Sequence, residues 1–314
     1  MKKNNTYSIV YSVLFFITIF PIYSQQHAAF NYYMFNHQSV NPAYVGSKSF
    51  TSITSVYRSQ WSGFEGAPIT QTVSFNKPII SKNLGIGLSV LNDGIGPITS
   101  SSVDIDIAYH LKLNRKENFL SLGLKFGGFN YALNEDLIQT NDPFDQTFMS
   151  QDQKNLFPNI GFGFYYYSQK MYAGFAIPKI LEHSEIDSKK HYFLIWGGLA
   201  QVSEQWIIKP SLFLKYSKGS SFVYDLSSLL IYKETFWIGG QIRSSMNSIL
   251  PEEALAGSYS ILTGITLSKN LSLGYSYGFS SSRNKALNLS THEIMLRFDI
   301  LPKIIGLLRS PRFF

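Results

Sequence analysis

The 314-residue sequence contains no cysteine and few charged residues, and after residue 24 it has no long apolar run. Without cysteine, the chain has no disulfide, no thiol nucleophile and no cysteine-based zinc site. Charged residues make up 15% of the chain, against about 25% in an average soluble domain. A membrane-spanning helix needs about 20 consecutive apolar residues. These absences argue against a helical membrane protein, a coiled coil and a disordered chain.

Aromatic residues are abundant, with 20 Tyr and 25 Phe, and the formal net charge is +7. This modest charge is spread along the chain and forms no clustered basic helix, so no nucleic-acid partner is expected.

The first 24 residues have the features of a secretory signal peptide. Lys2 and Lys3 give a positive start, Ile9 to Phe20 form the apolar centre, and Ser24 is a small residue before the expected cut. A membrane anchor is the alternative, but the apolar run is short for a spanning helix. We therefore expect four regions: a signal peptide at 1–24, a periplasmic or lumenal segment at 25–49, an outer-membrane barrel at 50–300 and a basic tail at 301–314.

Apolar and small or polar residues alternate through most of the chain from residue 50 onward. In one segment, the apolar face carries Leu271, Leu273, Tyr275, Tyr277 and Phe279, and Ser and Gly residues lie between them. Such a period of two indicates β-strands. A β-sandwich would turn the apolar face inward, whereas a transmembrane barrel turns it toward lipid.

Three features favour the barrel: small residues on one face, aromatic residues near segment ends, and connections that alternate in length. We predict an all-β fold, a transmembrane antiparallel β-barrel of about 14 strands. Tight connections are expected at 114–117, 169, 203–205 and 268–270, and longer ones at 131–156, 178–190, 244–255 and 281–286. An even strand count places both termini on the short-turn, periplasmic side.

No motif predicts catalysis, a metal site or a cofactor, so an enzyme is not expected. Asp104 and Asp106 share the polar face of one strand. Paired carboxylates can act in acid–base chemistry, but on a lumenal face we expect them to pair with Lys or Arg.

Two motifs near the start of the barrel have two interpretations each. Asn41-Pro42-Ala43-Tyr44 precedes the first strand, and it forms either a turn into the barrel wall or a contact in the lumen or periplasm. Arg58 is expected in the lumen beside a carboxylate, with Trp61 at the membrane interface. Alternatively, they contact the loop at 63–67 or a cargo protein.

Six short motifs stand out along the chain: Tyr33-Met34-Phe35-Asn36, Val40-Asn41-Pro42-Ala43-Tyr44, Tyr57-Arg58-Ser59-Gln60-Trp61, Gly66-Ala67-Pro68, Asn92-Asp93-Gly94 and Phe157-Pro158-Asn159. Together they resemble the signatures of the PorP/SprF family of outer-membrane proteins, which belong to the type IX secretion system of Bacteroidota.

The resemblance implies an outer-membrane component that binds a secreted surface protein, through the C-terminal sorting domain of that cargo, for export or cell-surface anchoring. The implied partners are a secreted adhesin or other surface protein, the type IX machinery and outer-membrane lipid. Some members of the family act in gliding motility. The residues implied to bind a partner or to structure the lumen are Phe35, Asn36, Asn41, Pro42, Tyr44, Arg58, Trp61 and Pro68. The alternative function is a diffusion channel or apolar-solute transporter with the same architecture.

Overall fold

The computed structural model describes residues 30–115, 117–133, 155–183, 188–218, 220, 222–245, 258–280 and 290–301. In these ranges the chain forms 14 antiparallel strands and a few 3-10 turns. None of the described helical turns is long and apolar enough to cross a membrane.

The strands, numbered in chain order, are β1 Thr51–Gln60, β2 Ile69–Ile79, β3 Leu84–Ile95, β4 Ile98–Lys112, β5 Phe119–Leu133, β6 Asn155–Tyr167, β7 Met171–Ile177, β8 His191–Gly198 with its continuation Ala200–Gln201, β9 Trp206–Ser217, β10 Val223–Tyr232, β11 Phe236–Ser245, β12 Ser258–Thr266, β13 Leu271–Ser280 and β14 Ser290–Ile300. The 3-10 turns are Asn31–Phe35, His37–Ser39, Pro42–Tyr44 and Ile80–Lys82.

Each strand pairs with the next, and the last strand pairs with the first. The pairing of β14 with β1 runs from Thr51 opposite Ile300 to Gln60 opposite Thr291. Closure leaves no open sheet edge. The predicted antiparallel barrel of about 14 strands is confirmed.

Side chains alternate between the outside and the lumen as the sequence pattern predicts. On β13, Leu273, Tyr275, Tyr277 and Phe279 are 37–44% exposed on the outer surface. On β2, the lumenal residues Thr70, Thr72, Ser74 and Asn76 are buried. An apolar outer face and a polar interior are what a bilayer requires of a spanning barrel.

The short and long connections lie at opposite ends of the barrel. We call the end with Ile300 and the turns after the even-numbered strands the turn end, and the opposite end the loop end. One connection at the loop end is short. β3 and β4 extend toward each other, so that only Gly96 and Pro97 separate them, and Asn92-Asp93-Gly94 lies within β3.

Several sequence predictions fall outside the described residues. These are the signal peptide at 1–24, most of the acidic loop at 131–156 and the tail beyond residue 301.

The chain before β1 lies inside the barrel. Residues 30–50, here called the lumenal segment, are all buried except Ser39, which is half-buried. The segment begins beside Arg243 and Glu293, in the loop-end half of the lumen, and ends at the turn end, where β1 starts.

Glycines on the inner wall allow the lumenal segment to approach the strands closely. A Cβ atom on Gly123 of β5 would collide with the backbone of Ala43, and one on Gly85 of β3 would collide with Val45 and Gly46. Gly46 itself has a φ of 79°, which favours glycine. The backbone of the lumenal segment therefore packs directly against the backbone of the wall.

We predict that Gly123→Ala destabilises the barrel by about 1–3 kcal/mol, the usual cost of overpacking. The matched control is Gly240→Ala, because the nearest atom to a Cβ there, the Ser260 carbonyl oxygen, is 3.8 Å away. The measurement is the temperature at which each barrel unfolds, detected on a gel as the shift from the folded to the unfolded band. Equal midpoints for the two variants would contradict the close approach.

Candidate functional site: the lumenal segment and the loop-end lumen

The Asn41-Pro42-Ala43-Tyr44 motif forms a capped turn that is attached to the wall. The Asn41 Oδ1 accepts a hydrogen bond from the Ala43 amide at 2.9 Å, while its Nδ2 donates to the Phe164 carbonyl at 2.9 Å. Pro42 occupies the first position of the turn, where its missing N–H costs nothing. One asparagine side chain thus ends the turn and binds it to β6.

An aromatic cluster surrounds the middle of the lumenal segment. The Tyr44 ring lies edge-on to the rings of His37 and Tyr165, with centroids 5.1 and 5.5 Å away. His37 Nδ1 and the Tyr165 hydroxyl are 3.1 Å apart. Burial lowers the pKa of His37 well below its ordinary value, and the charges of Lys209 and Lys48 act in the same direction. The imidazole is therefore neutral in the folded barrel.

The first part of the lumenal segment crosses from one wall to another. Phe35 packs on Trp237, with ring centroids 5.2 Å apart. The ammonium of Lys209 lies 4.6 Å from the Phe35 ring centroid and donates to the Met34 carbonyl at 2.8 Å. Asn36 Nδ2 donates to the Ser74 hydroxyl at 3.1 Å. These contacts join the segment to β2, β9 and β11.

Charged residues of the wall hold the loop-end part of the segment. Glu293 accepts hydrogen bonds from the amides of Asn31 and Tyr32, each at 2.8 Å. Arg243 pairs with Asp225 through two hydrogen bonds of 2.7 and 2.8 Å, and it also donates to the Phe30 carbonyl.

Arg58 lies in the lumen, as the sequence predicts, but its pairing is loose. Its Nε is 4.0 Å from Glu293. Its Nε and Nη1 are buried without a hydrogen-bond partner in the part of the chain that the structure describes. The other predicted lumenal pair is present, because Lys125 lies 2.9 Å from Asp106 and 3.8 Å from Asp104.

Trp61 and Pro68 lie outside this cluster. They flank the first connection at the loop end, where Trp61 is 41% exposed with a φ of 52° and the buried Pro68 accepts a hydrogen bond from the Gln60 amide at 2.9 Å. The structure therefore brings Phe35, Asn36, Asn41, Pro42, Tyr44 and Arg58 together in the lumen, and it places Trp61 and Pro68 at the rim.

The sequence prediction missed four kinds of lumenal contact: Glu293, Lys209, the Asp225–Arg243 pair and the wall glycines. Their only signal in the sequence is that they fall on the polar or small-residue faces of the predicted strands. Among the described residues, no group of His, Asp and Glu is arranged to hold a metal ion.

The outer wall carries a shallow groove of about 620 Å³ near the loop end. Its lining includes Gly128, Val103, Leu156 and Pro158. The groove is mainly apolar, which suits contact with lipid.

A sequence model of the family described as "Type IX secretion system membrane protein PorP/SprF" matches residues 22–298. The chain belongs to this family. It is an outer-membrane component of type IX secretion, and membership implies association with the machinery of that system. The family and the fold are those of a secretion barrel rather than of an enzyme family. No curated protein sequence is a significant match.

Solved structures with a similar fold are outer-membrane barrels. The outer membrane protein Omp33 of Acinetobacter baumannii is 7% identical, with a TM-score of 0.48, and the match covers 81% of this chain and 100% of that one. The CymD monoaromatic hydrocarbon channel is 13% identical, with a TM-score of 0.48 and coverages of 87% and 94%. At these identities and TM-scores, the likeness says nothing about what this barrel binds.

We predict that Asn41→Ala destabilises the barrel by about 2 kcal/mol, because it removes both the cap of the turn and the hydrogen bond to the Phe164 carbonyl. Asn41→Asp keeps the capping oxygen but cannot donate, so its loss should be intermediate. The control is Asn92→Ala, which removes only the outer-wall bond from Ser101. The urea concentration at the midpoint of unfolding, measured in detergent, reports the stability of all three variants. If Asn92→Ala lost as much stability as Asn41→Ala, the role assigned to Asn41 would be contradicted.

We predict that stability falls as the pH drops below about 6.5, in part through His37. The unfolded chain binds a proton there in this range, whereas the buried ring in the folded barrel does not. The variant His37→Gln should therefore lose less stability between about pH 7 and pH 5. Urea midpoints at the two pH values test this, and an unchanged pH dependence in the variant would contradict it.

Proposed function

We propose that this barrel binds a secreted surface protein at its loop end and serves in the export or cell-surface anchoring of that protein. Family membership supplies the secretion context. The observation that carries the proposal is the buried lumenal segment, because a barrel with its own chain packed inside offers its ends and rim, rather than a wide pore, to a partner. The region of the cargo that we expect to bind is its C-terminal sorting domain.

The lumenal segment weighs against the alternative of a diffusion channel. A channel needs a continuous aqueous path, and residues 30–50 occupy the lumen with nearly every side chain buried. Several of their hydrogen bonds reach strands far apart in the wall, including those to Ser74, Phe164 and Glu293. Opening a path would break many of these contacts at once.

We propose that the turn end faces the periplasm, with the basic tail at 301–314, and that the loop end faces outward. The short turns and Ile300 lie at one end, as in other outer-membrane barrels. Phe30 lies in the loop-end half of the lumen, and residues 31–50 fill the space between it and the turn end.

We also propose which surface of the barrel each of the other partners contacts. The machinery of type IX secretion would meet the turn end. Outer-membrane lipid would cover the apolar wall and the groove beside Gly128. The connection between β5 and β6 at 134–154 contains five carboxylates, Glu135, Asp136, Asp142, Asp145 and Asp152. We propose that it contacts cargo together with the loop-end rim, because long connections are often functional.

The experiment is a pull-down of the tagged protein from detergent-solubilised outer membranes, followed by mass spectrometry. We expect one abundant secreted protein, held through its C-terminal region. Trp61→Ala should lower its recovery about tenfold or more, because an exposed aromatic residue at an interface often contributes 2 kcal/mol or more.

The matched control is Trp206→Ala. Trp206 is the corresponding exposed tryptophan at the turn end, 37% exposed against 41% for Trp61, and its removal should leave cargo recovery unchanged. Recovery of the barrel alone, together with solute-dependent conductance in planar bilayers, would contradict the proposal and favour a channel.

A further inference from the structure

Three cationic side chains at the loop end of the lumen lack a hydrogen bond to any carboxylate among the described residues. Arg58 is near the end of β1, Lys179 follows β7 by two residues, and Lys215 is near the end of β9. The side chains of Arg58 and Lys215 are only 7% and 14% exposed. We call these three residues the basic ring.

The carboxylates nearest to the basic ring are occupied by other donors. Glu293, 4.0 Å from Arg58, accepts two backbone amides of the lumenal segment. Asp225, 3.9 Å from Lys215, accepts both hydrogen bonds of Arg243.

Among the described residues, Lys179 also has no hydrogen bond to a carboxylate. Its ammonium lies 4.4 Å from the Phe129 ring centroid. The nearby Asp93 accepts the Thr70 hydroxyl at 2.5 Å.

All three cations lie at the loop end of the barrel, although they come from different parts of the wall. Arg58 and Lys215 lie beside the start of the lumenal segment. Arg58 is next to Glu293, which binds the Asn31 amide, and Lys215 is next to Asp225, whose partner Arg243 donates to the Phe30 carbonyl. Lys179 lies over the ring of the buried Phe129.

A buried cation without a hydrogen-bonded counter-ion is costly, and proteins retain such groups mainly where function requires them. We propose that the basic ring binds the carboxylates of an acidic peptide segment of the exported protein as that protein docks at the loop end. The inference rests on the proposed function, and it adds the chemistry of the contact. The three cations would donate hydrogen bonds to acidic side chains or to a C-terminal carboxylate.

The test is titration of the purified full-length protein, in detergent at low salt, with three short peptides. Acetyl-(Glu)3-amide offers side-chain carboxylates, acetyl-(Gly)3 with a free C-terminus offers only the terminal one, and acetyl-(Gln)3-amide offers neither. We expect at least one carboxylate peptide to bind, the Gln peptide not to bind, and added salt to weaken binding. The stronger of the two carboxylate peptides identifies the source of the carboxylate.

Arg58→Gln and Lys215→Met should each weaken binding about tenfold or more, the usual effect of losing a hydrogen bond to a charged group. Two substitutions are used so that a folding defect in one leaves the other informative. Lys82→Met is the matched control, because Lys82 is an exposed lysine at the turn end, and it should bind as the wild type does.

The inference is overturned if neither carboxylate peptide binds, if the Gln peptide binds equally well, if inorganic phosphate binds while the peptides do not, or if Lys82→Met weakens binding as much as the ring variants. Its failure is distinguishable from failure of the proposed function. If Lys215→Met still recovers the cargo in the pull-down, the docking function stands without the ring. If the wild type recovers no cargo, the docking function fails whatever the peptides do.

Discussion

The polar inner wall of the barrel must find hydrogen-bond partners away from bulk water, and the rest of the structure depends on how it does so. Fourteen strands enclose more space than their own side chains need to fill. The chain fills that space with its own residues 30–50, which bring backbone amides to Glu293 and side-chain amides to Ser74 and Phe164. Because unmade hydrogen bonds in the interior are expensive, this segment is as much a part of the fold as the strands.

The lumenal segment occupies the space between the two ends of the barrel, and its buried residues are hydrogen-bonded to the wall. The two ends therefore present different surfaces. The turn end presents short connections, whereas the loop end presents the exposed Trp61 and, inside the lumen, Arg58, which lies 4.0 Å from Glu293. This asymmetry agrees with a family that acts in secretion.

Most of the wall could be predicted from the sequence, because each strand carries its own period-two pattern. β13 is an example, where Leu, Tyr and Phe alternate with Ser and Gly. The lumenal segment has no such period, so the sequence left open whether it lies in the lumen or in the periplasm. The partners of Asn31 and Tyr32 were not predictable either. Glu293 lies 262 residues from Asn31, and only the closing register of β14 on β1 brings the two together.

The contacts of Asn41 and of the wall glycines could not be predicted from the sequence either. The Asn-Pro pair predicts a turn, but its attachment to Phe164 depends on which glycines face inward across the barrel. Gly85 and Gly123 look in the sequence like any small residue of a polar face. Their role appears only when the segment is placed against them.

The most direct test of the account asks whether the barrel works with its lumen permanently closed. The chain has no native cysteine, and a Cβ on Gly87 would lie 2.6 Å from Val45 Cγ1, so Val45→Cys with Gly87→Cys should allow a disulfide to lock the lumenal segment to the wall. The measurement is the amount of cargo displayed on cells that carry the oxidised double variant, compared with the reduced one. The account predicts equal display. Loss of display on oxidation, with recovery on reduction, would contradict it, because the lumenal segment would then have to leave the wall for the barrel to function.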